Sequence, residues 1–118
     1  MSEENDLLFQ MLERIREKPA MYLPERSVMA LYTFILGYGA ALHDGGLRSE
    51  EEWVMSGFQR HVEKKFKINR STSWGNILLF VHSSNTFAFD AFWEVWDEYL
   101  TKVKHDRRRD LGKVALKR

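Results

Sequence analysis

The 118-residue sequence has no cysteine and only two prolines. Without cysteine the chain can form no disulfide, thiolate metal site or cysteine nucleophile, which fits a reducing compartment. Its longest uncharged stretch, Val28 to Leu42, is shorter than the roughly 20 residues of a membrane-spanning helix. The acidic start of the chain also lacks the basic residues of a secretion signal. We therefore expect one cytoplasmic domain over residues 1–118.

Apolar residues recur at helical spacing along the chain, and this pattern predicts an all-α fold of about five helices. Ser27 is a suitable N-cap for the second helix, and Ser49 begins the capping-box sequence Ser-Glu-Glu-Glu of the third. The fourth helix is expected to begin near Ser73. The short apolar run from residue 77 to residue 81 is also compatible with a β-strand. The fifth helix has the clearest pattern, with apolar residues at positions Phe89, Phe92, Trp93, Trp96, Leu100 and Val103.

The second predicted helix, from Ser27 to about His43, is apolar nearly all round. A helix of this composition is expected to be covered on most sides by its neighbours. Glycine costs about 1 kcal/mol relative to alanine inside a helix, so Gly37 and Gly39 need a reason to be there. We expect both to allow close packing of an adjacent helix.

The two prolines bound the segment of residues 19–24, between the first and second helices. Proline has no backbone donor, so we predict an extended connector here. Side chains alternate along an extended chain. Met21 and Leu23 should then cover the end of the second helix, with Tyr22 on the other side.

A pattern of mostly core-type residues spans the region from residue 8 to residue 100. It comprises Ile15-Arg16-x-Lys18-Pro19-x-Met21-Tyr22-Leu23, then Ser27, then Leu31-x-x-Phe34-x-x-Gly37-Tyr38, with Trp74 and a last aromatic helix ending near Tyr99. This arrangement resembles a group of small bacterial proteins, some of which look like immunity proteins of contact-dependent inhibition and related polymorphic toxin systems. The resemblance implies a protein that binds and neutralises one cognate toxin, often a nuclease, without catalysis or a cofactor of its own.

Charge is distributed unevenly along the chain: residues 1–60 carry 6 basic and 10 acidic side chains, and residues 61–118 carry 12 and 7. Four acids of the fifth helix fall at helical spacing and form a stripe opposite its aromatic face. Carboxylates on successive turns repel one another, and a basic toxin surface would relieve this repulsion. The alternative is a simple solvated helix face. The predicted partner-binding residues are Asp90, Glu94, Asp97 and Glu98, together with Glu50 and Glu51.

Basic residues favour a second hypothesis, a small nucleic-acid-associated regulatory protein. One basic segment extends from Arg60 to Arg70 and the other from Lys102 to Arg118. Either segment could neutralise phosphates. Residues 105–118 form a basic tail for which the sequence leaves helix, strand and disorder open.

Histidines raise a third hypothesis, an unrecognised ribonuclease assembled from His61, Lys64 and His82. The chain has four histidines in all, and none of them shows the spacing of a metal-binding pair. We therefore predict neither a metal nor a catalytic residue.

Overall fold

The computed structural model describes residues 7–47, 51–68 and 71–116, without the side chains of 51–53 and 105–116. The described residues form five α-helices and no strand, which confirms the all-α prediction. Residues 77–81 are helical. The helices are α1 (Leu7–Glu17), α2 (Val28–Asp44), α3 (Glu51–Phe66), α4 (Trp74–His82) and α5 (Asn85–Leu116).

Serine side chains begin three of the helices. The hydroxyl oxygens of Ser27 and Ser73 accept hydrogen bonds from the backbone N–H groups three residues later, at 3.2 and 3.1 Å. Ser84 does the same at the start of α5. These caps satisfy backbone donors that have no partner inside the helix. The cap predicted at Ser27 and the helix start predicted near Ser73 are thus confirmed, whereas Ser49 lies outside the described residues.

The segment of residues 19–24 is not extended as predicted. Pro19–Met21 form one turn of 3-10 helix, closed by the N–H of Tyr22 on the carbonyl of Pro19 at 3.0 Å. Proline suits the first position of a helical turn because its missing N–H would have had no partner there. The turn separates the two apolar side chains: Leu23 is buried, but Met21 is 69% exposed and does not cover α2.

Phe58 of α3 lies at the centre of the core and has no exposed surface. Its ring meets four other aromatic rings edge-on, at centroid distances of 5.3 to 5.7 Å. This geometry places the positive ring edge near a negative ring face. The four rings belong to α4 and α5: Trp74, Phe92, Trp96 and Tyr99. Phe58 therefore joins three helices.

The prediction that α2 is covered on most sides is wrong. One side of α2 is buried, but Leu36 is 52% exposed and Gly37, Ala40 and Ala41 are exposed as well. A Cβ atom added to Gly37 would meet no atom within 4 Å outside its own stretch of helix, so no other helix of the described residues packs closely there. Gly39, in contrast, is buried as expected.

The backbone of α5 remains helical to Leu116, so most of the predicted basic tail is a continuation of this helix. At a rise of about 1.5 Å per residue, a helix of 32 residues is about 48 Å long. None of the helices in the described ranges has the length and apolarity required to traverse a bilayer.

Candidate functional site

The acidic stripe of α5 begins the search for a site, and its third member is paired within the chain. The two terminal guanidinium nitrogens of Arg16 donate to the Asp97 carboxylate, at 2.8 and 2.7 Å. Arg16 also lies 5.4 Å from the centre of the Trp93 ring. The hydrogen bond to Asp97 raises the pKa of Arg16 above its ordinary value. This bidentate contact joins α1 to α5.

Two more acids of the stripe also have a cationic partner within the chain. Arg26, in the loop before α2, forms an ion pair with Asp90. Lys65 of α3 donates to both carboxylate oxygens of Glu98 at 3.0 Å. The stripe therefore receives cations from three separate parts of the chain.

The expectation that the stripe carries four uncompensated carboxylates is wrong for Asp90, Asp97 and Glu98. Their side chains remain 49%, 51% and 46% exposed, so each pair lies at the surface. Exposed pairs of this kind contribute about 0.2–1 kcal/mol each. Their repulsion is relieved inside the molecule, so it gives no reason to expect a basic partner. That these residues contact a partner stays a prediction.

Glu94 is the remaining acid of the stripe, and it is exposed with no ion pair among the described side chains. Phe87 lies seven residues earlier on the same helix and is 67% exposed. Spacings of four and seven residues place Phe87, Ala91 and Glu94 on one side of α5. We call these three residues the α5 outer face.

Phe87 was absent from the sequence prediction, although the pattern contained a signal for it. It precedes the buried Phe89 by two residues, which places it away from the buried side of the helix. Phe80 of α4, on the other side of the α4–α5 turn, is 77% exposed. Two large apolar rings are thus exposed on the consecutive helices α4 and α5.

The side chains of the two other predicted acids, Glu50 and Glu51, lie outside the described set. Glu50 lies outside the described residues, and Glu51 begins α3 with its side chain outside the described set.

His61 is the histidine with the most distinctive surroundings. Its Nε2 atom is buried without a hydrogen-bond partner and lies 3.7 Å from a Glu98 oxygen. Burial lowers the pKa of His61 below 6.5, and the charges of Lys102 and Lys65 act in the same direction, whereas Glu98 opposes them. An imidazole held in this way is neutral near pH 7.

This burial predicts how stability depends on pH. The unfolded chain takes up a proton at His61 near pH 6.5, but the folded protein resists it until the pH is lower. The free energy of unfolding should therefore fall as pH drops through about 6.5. Urea unfolding at about pH 7.5 and about pH 5.5 measures this loss.

A matched pair of variants isolates the contribution of His61 to the pH dependence. The loss of stability at low pH should be smaller in His61→Gln than in the wild type. The control, His43→Gln, changes an exposed side chain and should leave the loss unchanged. An equal loss in wild type and His61→Gln would contradict the assignment.

The ribonuclease hypothesis stays a prediction. The Nε2 atom of His82 is also buried without a partner, and its ring meets Phe66 edge-on at 6.2 Å. Among the described side chains, no three histidines or acids are grouped as metal ligands.

Searches of family models, curated proteins and solved structures returned no match to this chain.

Proposed function

We propose that this chain is a cytoplasmic immunity protein that binds one cognate bacterial toxin domain and neutralises it by one-to-one occlusion. The proposal extends the resemblance found in the sequence and assigns the contact to the α5 outer face. The observation that carries it is the 67% exposed ring of Phe87 on the same helix face as Glu94, whose carboxylate has no ion pair among the described side chains.

An exposed aromatic ring is well suited to anchor a protein partner. Aromatic side chains contribute large contact area at low conformational cost, and a few such residues carry most of the energy of an interface. Glu94 would pair with a cation of the toxin beside the pocket that receives Phe87. A toxin that cleaves nucleic acid has such cations because it holds phosphate, and the opposite charges would speed encounter.

The ion pairs of the stripe have a supporting role in this mechanism. Arg16, Arg26 and Lys65 tie α5 to α1, to the loop before α2 and to α3. A face held in place in this way loses little conformational entropy on binding. Asp90, Asp97 and Glu98 then act by positioning the helix, and the direct contacts come from Phe87 and Glu94.

A growth-protection assay tests the proposal. We expect the neighbouring upstream gene to encode a large secreted protein with a variable C-terminal domain. That domain should arrest growth when expressed alone and should not do so when this chain is co-expressed. A domain that arrests growth equally in both cases would contradict the immunity function.

Variants of the α5 outer face test the assigned contact separately from the function. Phe87→Ala with Glu94→Lys should weaken toxin binding at least about 30-fold, as expected for loss of an interface anchor of about 2 kcal/mol. The matched control is Met21→Ala, which truncates an equally exposed apolar side chain in a different part of the molecule. Calorimetric titration of each variant measures the effect. Full affinity of the double variant would show that another face binds the toxin.

The helical continuation of α5 favours a second candidate function, nucleic-acid-associated regulation. It places the basic residues from Lys102 to Lys113 on a single helix. Binding through these residues would weaken steeply as salt rises, because each neutralised phosphate releases counterions. Micromolar, salt-dependent binding of DNA or RNA by the isolated protein would favour this alternative over the immunity function.

A further inference from the structure

The exposed side of α2 continues into an open groove on its neighbours. The groove has a volume of about 840 Å³ and lies between α2, α3 and the start of α4. Its apolar lining includes Tyr32, Leu36, Met55 and Trp74. Leu36, 52% exposed, is part of this lining, and polar residues of α3 and of the loop before α4 complete it.

One wall of the groove is held by the amide of Gln59. Its Nε2 donates to the carbonyl oxygen of Thr72 at 2.8 Å, and its Oε1 accepts from the backbone N–H of Trp74 at 2.6 Å. The same Nε2 lies 3.2 Å from a carboxylate oxygen of Glu63. These bonds fix the loop before α4 against α3, so the groove is formed before anything enters it.

The charges beside the groove are of opposite sign and belong to one helix. Arg60 and Glu63 both line it and lie one turn apart on α3. The carboxylate of Glu63 accepts a hydrogen bond from Gln59. Arg60 has no ion pair among the described side chains. The guanidinium group of Arg60 is therefore available to a carboxylate from another molecule.

We propose that this surface binds a second copy of the chain in a two-fold symmetric dimer. In such a dimer each surface meets its own copy, so Leu36 of each chain enters the groove of the other. Arg60 of each chain pairs with Glu63 of the other. The surface suits this occupant because its charges are self-complementary and because α2 has no charged residue from Val28 to Leu42. Two such helices can approach without repulsion.

Sedimentation equilibrium of the full chain tests the dimer. The wild type should show a concentration-dependent mass that approaches twice 14.0 kDa. Leu36→Lys should weaken dimerisation at least about tenfold, since it directs a charge into the apolar groove of the partner. The control Leu47→Lys changes another leucine, 55% exposed and outside the groove lining, and should dimerise as the wild type does.

A charge exchange tests the proposed pairing. Arg60→Glu and Glu63→Arg alone each place like charges opposite one another and should both weaken dimerisation. The double variant restores opposite charges and should regain dimerisation, although its composition is unchanged from the wild type. A wild-type protein that stays at 14.0 kDa up to millimolar concentration would overturn the proposal. The proposal would also be overturned if Leu36→Lys left dimerisation unchanged. It would be overturned as well if the two single charge variants and the double variant dimerised equally.

Discussion

Replacing Phe58 with alanine is expected to lower the free energy of unfolding by about 3–5 kcal/mol. Phe58 is fully buried and its ring meets four others, three of them on α5 and one on α4: Phe92, Trp96, Tyr99 and Trp74. Its removal leaves a cavity where three helices meet, and those rings cannot all move inward to fill it. Urea unfolding followed by circular dichroism measures the loss.

The matched control for Phe58→Ala is Phe80→Ala. The chemical change is the same, but Phe80 is 77% exposed and its truncation should alter stability by less than about 0.5 kcal/mol. Comparable losses in the two variants would mean that the aromatic cluster around Phe58 does not hold the helices together. A loss below about 1 kcal/mol for Phe58→Ala would lead to the same conclusion.

Replacing Gly57 with alanine is the second prediction with a large effect, at about 2 kcal/mol of lost stability. A Cβ atom at Gly57 would overlap the hydroxyl oxygen of Tyr99 and lie 3.1 Å from its Cζ atom. Tyr99 is 6% exposed, and its hydroxyl donates to the carbonyl of Val54 at 2.9 Å. The ring can yield only by losing this hydrogen bond and its contact with Phe58. Thermal and urea unfolding report the change.

Two comparisons sharpen the test of Gly57. Gly37→Ala adds the same methyl group to an exposed helical position with open space around it, so it should stabilise the protein by up to about 1 kcal/mol. Tyr99→Phe removes the overlapping oxygen, so Gly57→Ala should cost less in that background than in the wild type. The prediction would be contradicted if Gly57→Ala and Gly37→Ala changed stability in the same direction.

These variants also separate folding from binding. Phe58 and Gly57 maintain the arrangement of α3, α4 and α5, whereas Phe87 and Leu36 are exposed and lie outside the buried core formed by the described residues. A variant of the first kind should lose protection because less folded protein remains. A variant of the second kind should keep its unfolding free energy and lose only an interaction. Measuring stability beside affinity distinguishes the two causes.

The helices and the buried side of α5 could be predicted from the sequence because both depend on spacing along the chain. Ser27 was identified as a cap, since an N-cap needs only a hydroxyl three residues before a free N–H. Phe89, Phe92 and Trp96 were assigned to one face because helix geometry alone brings them together. Such local features need no knowledge of what the rest of the chain does.

The pairing of the acidic stripe could not be predicted in this way. Asp97 and Arg16 are 81 residues apart, and Asp90 and Arg26 are 64 apart. No local pattern indicates that these residues meet, because the meeting depends on how α1 and the loop before α2 pack on α5. The connector at Pro19 shows the same limit, since an isolated proline is compatible with both an extended chain and a helical turn.

The sequence by itself determined that this protein is helical, where its main helices begin and which side of α5 is buried, because short-range geometry and burial tendency suffice for that. Only the tertiary structure decided which of the apolar and charged side chains have partners within the molecule and which remain exposed. It paired three acids of α5 with internal cations and left Phe87, Glu94 and Leu36 exposed. The physical reason is that availability depends on neighbours from distant parts of the chain, and packing alone brings those neighbours into contact.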